Sequence, residues 1–181
     1  GNSVSDYWNG LVNGVSGADM ITLFDASKFR TKFACEVKGF DPVQFLDKKE
    51  ARKIDRFTQF ALVVSDQAMA DAGLSKDNIN PDRVGVVFAS GIGGLITFQH
   101  EVTDFARGDG TPRFNPFFIP KMILDIAAGQ ISMRHNLRGP NFAVVSACAS
   151  STNAIMDAFN LIRLGKSDII LTGGSEAVIS E

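Results

Sequence analysis

The segment Arg83–Ala89 constrains the fold most strongly, because it is a short and nearly uninterrupted apolar run. A strand with water on one face alternates polar and apolar residues, whereas a strand covered on both faces reads as continuous apolar sequence. Two similar runs, Asn141–Val145 and Asp168–Thr172, follow later in the chain. Helical patterns lie between these runs, and such alternation is typical of right-handed crossovers. The sequence therefore predicts an α/β fold with a mostly parallel sheet covered by helices.

The helices are predicted from apolar spacing and from residues that favour helix ends. Asp55–Ala72 shows the clearest pattern, followed by Gly73 and Leu74 in the order that closes many helices. Its predicted apolar stripe is Phe57, Phe60, Ala61, Val64 and Ala68. The other predicted helices are Ser5–Asn13 with Ser5 as N-cap, a helix ending at Gly108, Lys121–His135 and Ser150–Leu164.

Composition excludes several classes of function. The chain has 181 residues, with 18 basic and 20 acidic side chains, so it lacks the basic excess of a nucleic-acid-binding domain. No apolar run approaches the roughly 20 residues that span a bilayer, and no signal-peptide pattern opens the chain. Two cysteines do not make a disulfide framework, which favours a cytoplasmic location. Cys35 lies in a predicted short strand and is interpreted as an inert, packed thiol.

One segment has a residue pattern that suggests a catalytic nucleophile. The strand Asn141–Val145 leads into small residues on both sides of Cys148, and an amphipathic helix begins at once. This is the layout of a nucleophile elbow, a sharp turn that projects one side chain at the carboxyl end of a sheet. The positive end of a helix favours thiolate over thiol, and a thiolate can form a thioester. Residues Ala154, Ile155, Ala158, Phe159 and Ile162 are predicted to form the apolar face of that helix.

Other interpretations of these residues stay open at this point. A free cysteine is often simply buried, so spacing alone does not separate a catalytic Cys148 from a structural one. A hydrolase serine is disfavoured because Gly-x-Ser-x-Gly is absent. The glycine-rich Ser90–Gly94 could cradle a phosphate, but Ile96 stands where the dinucleotide fingerprint needs glycine. His100 and His135 have no partner at metal-ligand spacing and are interpreted as ordinary helix residues.

The segment Val144–Ser151 resembles the active-site signature of condensing enzymes of the thiolase fold. Further blocks are similar to the type II elongating β-ketoacyl-acyl carrier protein synthases in order and spacing: Asp55–Gln59, Ser90–Gly94, Asn115–Pro120, Ala127–Gln130, Gly139–Asn141 and Gly173–Glu176. The resemblance covers essentially the whole chain. It departs from the commonest pattern at Asn115, Asp125 and Ser146, where Ser, Asn and Thr are usual, and Asp125 could alter packing near the acyl pocket.

The resemblance implies a particular reaction for the complete enzyme. Cys148 would accept an acyl group from acyl carrier protein, and malonyl-acyl carrier protein would then condense with it after losing carbon dioxide. Ile92 would lie along the acyl chain, and Phe118 near it or near the partner subunit's pocket. The family needs no cofactor or metal, since the phosphopantetheine arm belongs to the carrier protein. The resemblance also implies a homodimer, in which the strand Asn141–Val145 would pair with its copy across a two-fold axis.

The resemblance also implies that residues 1–181 are one amino-terminal domain of a longer protein. The first strand of the family and its carboxyl-terminal half, with two catalytic histidines and a lysine, have no counterpart here. The chain by itself is therefore expected to be inactive and poorly soluble. A ketosynthase of a polyketide or other specialised pathway is the nearest alternative. A fragment that serves only as a folding or dimerising unit is an alternative of a different class, and the preferred acyl length is left open.

Overall fold

The structure is a computed structural model that describes all 181 residues. The chain forms two compact units: residues 1–45 with 179–181, and residues 46–178. None of its helices combines the length and the hydropathy that crossing a bilayer would take.

The smaller unit contains one helix and a short antiparallel strand pair. Helix α1 spans Val4–Val12, and strands β1 (Asp19–Met20) and β2 (Phe33–Ala34) pair with each other. The N-cap of α1 is Ser3 and not the predicted Ser5, because Ser3 Oγ accepts a hydrogen bond from the Asp6 N–H at 3.1 Å. Cys35 lies just beyond β2 and is exposed, so its interpretation as a packed thiol was wrong for this structure.

The larger unit is built on a three-stranded parallel sheet. Strand β3 (Val84–Ala89) lies in the middle, between β4 (Asn141–Phe142) and β5 (Ile169–Gly174). Every residue of β3 is buried, which confirms the strand predicted from its continuous apolar sequence. The helices of this unit are α2 (Lys48–Lys53), α3 (Arg56–Asp71), α4 (Leu95–Arg107), α5 (Phe118–Met122), α6 (Ile126–His135) and α7 (Ser150–Arg163). Helices α6 and α7 both pack against β3, so the α/β architecture is as predicted.

Two glycines allow β4 to approach β3 closely. The Gly139 N–H donates to Val84 O at 2.9 Å, and the Val86 N–H donates to Pro140 O at 2.8 Å. A Cβ on Gly139 would stand 2.7 Å from Val84 O, and one on Gly85 would stand 2.7 Å from Pro140 O. Backbone atoms cannot swing aside as a side chain can, so both positions need glycine. Strand β4 itself is shorter than the predicted Asn141–Val145 and ends at Phe142.

Helix α3 ends as the sequence predicts, but its buried face differs. The Gly73 N–H donates to Ala70 O, and the Leu74 N–H donates to Met69 O, which is the Schellman arrangement. Gly73 has the left-handed φ of +63° that this arrangement requires. Val64 and Ala68, assigned to the apolar stripe, are exposed. The buried residues are Phe57, Thr58, Ala61, Leu62, Val63, Ser65 and Met69.

The predicted helix Lys121–His135 is two helices, α5 and α6, with a break at Ile123–Asp125. The carbonyl of Met122 accepts a hydrogen bond from the Gly94 N–H at 3.1 Å, a contact from outside the helix. Ile123 is extended, with φ −66° and ψ 142°, so the helical hydrogen-bond series stops there. A tertiary contact to the glycine-rich turn therefore interrupts a stretch whose local sequence favours helix.

We predict opposite effects for alanine at two glycines of the larger unit. Gly139→Ala should lower stability by about 1–3 kcal/mol, because the new methyl meets backbone that cannot yield. Gly129→Ala should raise stability by about 0.5–1 kcal/mol, because Gly129 lies inside α6 with nothing within 4 Å of its Cβ position. Thermal unfolding midpoints of the two variants and the parent protein test this. Equal shifts in both variants would contradict the assigned roles.

Candidate active site

A pocket of about 400 Å³ lies where the three parallel strands end. Its walls are the turn after β3, the turn between β4 and α7, and the segment after β5. In parallel sheets the carboxyl ends of the strands share one edge, which is where such folds place ligands. The lining residues are Ala89, Ser90, Gly91, Ile92, Ala147, Cys148, Ser150, Ser151, Gly174, Ser175, Glu176 and Val178.

Cys148 stands on a tight turn at the start of α7. It is the middle residue of a single 3₁₀ turn, Ala147–Ala149, and its side chain is exposed to the pocket. Ala147 has a φ of +50°, which an L-amino acid with a side chain rarely adopts. A strained residue beside a reactive group is typical of functional turns. The structure therefore has the geometry of a nucleophile elbow, and Cys148 is the side chain that it presents.

Two polar side chains of α7 hold this turn in place. Ser150 Oγ accepts a hydrogen bond from the Ser146 N–H at 2.8 Å and donates one to Ala147 O at 2.7 Å. Asn153 Nδ2 donates to Ser146 Oγ at 2.7 Å. Ser150 is buried, so loss of its hydroxyl would leave two backbone groups unpaired. These contacts offset the cost of the unusual φ at Ala147.

Small residues bring α7 close to the sheet. Ala154 and Ala158 are buried, and Ala154 packs with Val87 and Ala89 of β3. The larger residues of the predicted apolar face, Ile155, Phe159 and Ile162, are exposed instead. The predicted apolar face was therefore wrong for its three large members in this structure. Alanine allows a shorter distance between helix and sheet than isoleucine or phenylalanine would, and that places Cys148 at the sheet edge.

The glycine-rich turn after β3 holds a carboxylate of the chain itself. Glu176 Oε2 accepts hydrogen bonds from the N–H groups of Gly91 and Ile92, at 2.6 and 3.0 Å. Glu176 Oε1 accepts another from Ser90 Oγ at 3.1 Å. The backbone donors that could have bound a phosphate are thus engaged, and the added charge is negative. This arrangement argues against the nucleotide-binding interpretation.

The structure brings together two of the three site residues predicted from the sequence. Cys148 and Ile92 line the same pocket. Phe118 does not line it: its ring stacks between Phe98 and Phe114, with centroid distances of 6.3 and 5.7 Å. Asp125, named as a position that could alter packing near the acyl pocket, is exposed and also lies outside the lining.

Neither histidine belongs to the pocket, which matches their interpretation as ordinary helix residues. His100 is an exposed residue of α4. His135 ends α6, with its Nε2 atom 3.2 Å from Asp66 Oδ1 and 3.4 Å from Ser65 Oγ. Burial lowers the pKa of His135, and this outweighs the opposite effect of the Asp66 carboxylate.

Sequence reasoning missed Glu176, Ser150 and Asn153 as parts of the site. For Ser150 a signal existed, because Ser near a helix start often bonds to nearby backbone, whereas Asn153 bonds to the Ser146 hydroxyl and no such rule points to it. For Glu176 the signal was weaker. Its position directly after the third strand places it at the sheet edge that holds the other turns, but nothing local indicates which backbone groups it accepts from.

Comparison with known proteins identifies the family. The family described as β-ketoacyl synthase, N-terminal domain, matches residues 1–181, so the chain belongs to it. It is 44% identical over 180 residues to a 3-oxoacyl-[acyl-carrier-protein] synthase 2 of Synechocystis sp., and 43% identical over 180 residues to one of Staphylococcus aureus. Each alignment covers 99% of this chain and 43% of the relative. The chain thus spans less than half the length of these curated relatives.

Solved structures with the same fold are ketosynthases. The ishigamide ketosynthase/chain length factor superposes with a TM-score of 0.75 at 27% identity, over 94% of this chain and 47% of the other. A type II polyketide ketosynthase in complex with its acyl-carrier protein gives a TM-score of 0.79 at 22% identity, over 99% of this chain and 48% of the other. These likenesses confirm the thiolase-like fold expected from the resemblance.

We predict that Cys148 reacts with thiol reagents much faster than Cys35. Both cysteines are exposed, so accessibility alone does not favour either. Cys148 lies two residues before Ser150, the first residue of α7, and the positive end of a helix stabilises negative charge that develops on a nearby atom. Limited alkylation followed by peptide mass spectrometry measures both sites in one sample. Equal labelling would remove the proposed activation, and Cys35→Ser is the control that should leave the Cys148 rate unchanged.

Proposed function

We propose that this chain supplies the nucleophile of a β-ketoacyl-acyl carrier protein synthase that elongates fatty acids. The observation that carries the proposal is the exposed Cys148 on a strained turn, facing a pocket with Ile92 on its wall. Such a thiol has room for an acyl group beside it. The identity of 43–44% to 3-oxoacyl-[acyl-carrier-protein] synthases supports this chemistry.

The reaction would proceed in two transfers. The Cys148 thiolate attacks the carbonyl of an acyl thioester on acyl carrier protein, and the phosphopantetheine sulfur leaves as a thiolate. Malonyl-acyl carrier protein then loses carbon dioxide, and its carbanion attacks the Cys148 thioester. The cysteine thiolate is expelled, and the product is a β-ketoacyl thioester two carbons longer. The N–H of Cys148 is the proposed donor to the oxyanion of the acyl carbonyl.

The decarboxylation half of this reaction needs groups that the pocket does not contain. His100 and His135 lie elsewhere, and no other histidine is present in the chain. By resemblance, two histidines of a carboxyl-terminal half would stabilise the malonyl oxyanion. The proposed chemistry requires no metal or nucleotide, because the carrier protein brings its own phosphopantetheine. The cytoplasmic location predicted from the cysteines stays a prediction.

The proposed partners are acyl carrier protein and a second copy of the chain. One solved relative of the same fold is described in complex with its acyl-carrier protein, which supports the first. For the second, β4 is an edge strand with an exposed Phe142, and an open edge favours pairing.

A ketosynthase of a polyketide pathway is the second candidate function. Two solved structures of the same fold are described as a type II polyketide ketosynthase and as the ishigamide ketosynthase/chain length factor. Their identities of 22% and 27% are well below the 44% shared with the Synechocystis synthase, and we therefore favour fatty acid elongation. A role only as a folding or dimerising unit would leave the strained turn and the exposed Cys148 without a purpose.

We predict that Ile92→Phe disfavours long acyl groups. Ile92 is 53% exposed on the pocket wall, so a larger side chain there would occupy space beside Cys148. The measurement is the rate of acyl transfer to Cys148 from carrier protein bearing short or long acyl groups, in the full-length synthase. Ile119→Phe is a matched control, because Ile119 is 54% exposed but lies outside the pocket. An unchanged profile in Ile92→Phe would show that the acyl chain runs elsewhere.

We also predict that residues 1–181 alone show no measurable condensation and poor solubility. Several oxyanion-stabilising groups would be missing together, and removal of one such donor typically costs on the order of 10² to 10³ in rate. Large apolar side chains of α7, including Phe159, are exposed and would favour association. Purified chain is assayed with acyl- and malonyl-carrier substrates, beside the full-length synthase and its Cys148→Ser variant. Turnover by the chain comparable to the full-length synthase would overturn the assignment of roles.

A further inference from the structure

The Glu176 carboxylate is the main anchor of the turn that carries Ile92. It accepts from two consecutive backbone N–H groups, Gly91 and Ile92, and from the Ser90 hydroxyl, at 2.6 to 3.1 Å. Ser90 Oγ in turn accepts from the Gly93 N–H at 3.1 Å. One side chain therefore fixes the turn directly at three residues and indirectly at a fourth.

Glu176 is itself held by the residue before it. The Ser175 N–H donates to Ala89 O at 3.0 Å, which ties it to the last residue of β3. Ser175 Oγ donates to Phe57 O at 2.7 Å, which ties it to the first turn of α3. Because both contacts end on backbone of buried residues, the starting point of the Glu176 side chain is fixed relative to the sheet.

Gly91 shows how closely the turn is fitted to this carboxylate. A Cβ at Gly91 would lie 2.7 Å from Glu176 Oε2, below any ordinary contact distance, whereas its other nearest atoms lie at 3.7 Å or more. A methyl group at position 91 would therefore displace the Glu176 carboxylate, the movable end of a side chain, and no other atom. The φ of Gly91 is not in the left-handed region, so backbone strain does not explain the residue.

We propose that Glu176 is a positioning residue that sets the place of Ile92, and thereby which acyl groups reach Cys148. The inference rests on the proposed function, since it concerns the acyl specificity of the same pocket. Glu176 has no bonding role in the reaction: it acts through the turn.

The test compares two variants of Glu176 with one control variant in the full-length synthase. Glu176→Ala removes all three hydrogen bonds. Glu176→Gln keeps an oxygen for the two N–H groups and offers its amide N–H to Ser90 Oγ, so it should restore the parent behaviour. Asp71→Ala is the matched control, since it removes an exposed carboxylate at the far end of α3, outside the pocket.

The readout is the ratio of two rates at Cys148, for N-octylmaleimide and for N-ethylmaleimide, which share one reactive group. We expect Glu176→Ala to change this ratio about tenfold, toward equal rates for the two reagents. A change of that size is typical when an apolar pocket gains or loses contact with one methylene group. The Gln variant and Asp71→Ala should stay near the parent ratio. A parallel series with short and long acyl-carrier substrates should show the same change. The thermal unfolding midpoint of each variant separates this change from general unfolding, which would expose Cys148 to both reagents outside the pocket.

Gly91→Ala supplies a second route to the same answer. In the parent it should displace the carboxylate and shift the ratio as Glu176→Ala does. In the Glu176→Ala background it should add almost nothing, because the atom that it meets is gone. If Glu176→Ala fails to fold, the comparison of Gly91→Ala with Glu176→Gln decides the question. Both variants keep a side chain at position 176 that can accept the hydrogen bonds of the turn.

The outcomes separate this inference from the proposed function. If Cys148 is acylated normally and neither Glu176→Ala nor Gly91→Ala changes the ratio, Glu176 does not set the position of Ile92, while the synthase assignment stands. If the parent Cys148 is never acylated by carrier substrates, the proposed function fails, yet the maleimide ratio still reports the positioning. Additive effects of Gly91→Ala and Glu176→Ala would also overturn the inference.

Discussion

The pairing of β3 with a parallel strand on each side is the constraint on which the site depends. Val86 lies opposite Asn141 on one side and Leu171 on the other. Because the three strands run in the same direction, the turns that follow them are placed at one edge of the sheet. Residues about 30 to 85 positions apart, Ile92, Cys148 and Glu176, therefore share a pocket. The sheet is short, and its glycines keep the strands and turns close.

The central strand, the turn that carries Cys148 and the end of α3 could all be predicted from the sequence, because each depends on local residue patterns. A continuous apolar run predicts a strand buried on both faces, and β3 is such a strand. Small residues between a strand and a helix predict an elbow, and Cys148 stands on one. The closing pattern of α3 at Gly73 and Leu74 is likewise local, since it requires only a left-handed glycine and an apolar residue after it.

Two of the features that sequence reasoning missed depend on contacts between distant segments. The break between α5 and α6 arises because Met122 O bonds to Gly94 N, 28 positions earlier. Glu176 accepts hydrogen bonds from a turn some 85 positions away, and no spacing rule covers that distance. The error on α7 has a different cause. Hydrophobicity identifies apolar residues, but proximity to the sheet is decided by size, so Ala154 is buried while Phe159 is exposed.

Small residues at the helix–sheet contacts explain why the nucleophile and the carboxylate can stand in one pocket. Ala154 of α7 packs on Ala89 of β3, and a larger residue at either place would push the helix outward. The residue at position 174, at the end of β5, must also be small. A Cβ on Gly174 would overlap Ser151 Oγ and stand 2.9 Å from Ala89 O. Helix α7 carries Cys148 at its start, so each added methylene along this contact would shift the thiol relative to the turn that Glu176 holds. The glycines and alanines around the pocket therefore set the distance between the Cys148 thiol and the turn after β3.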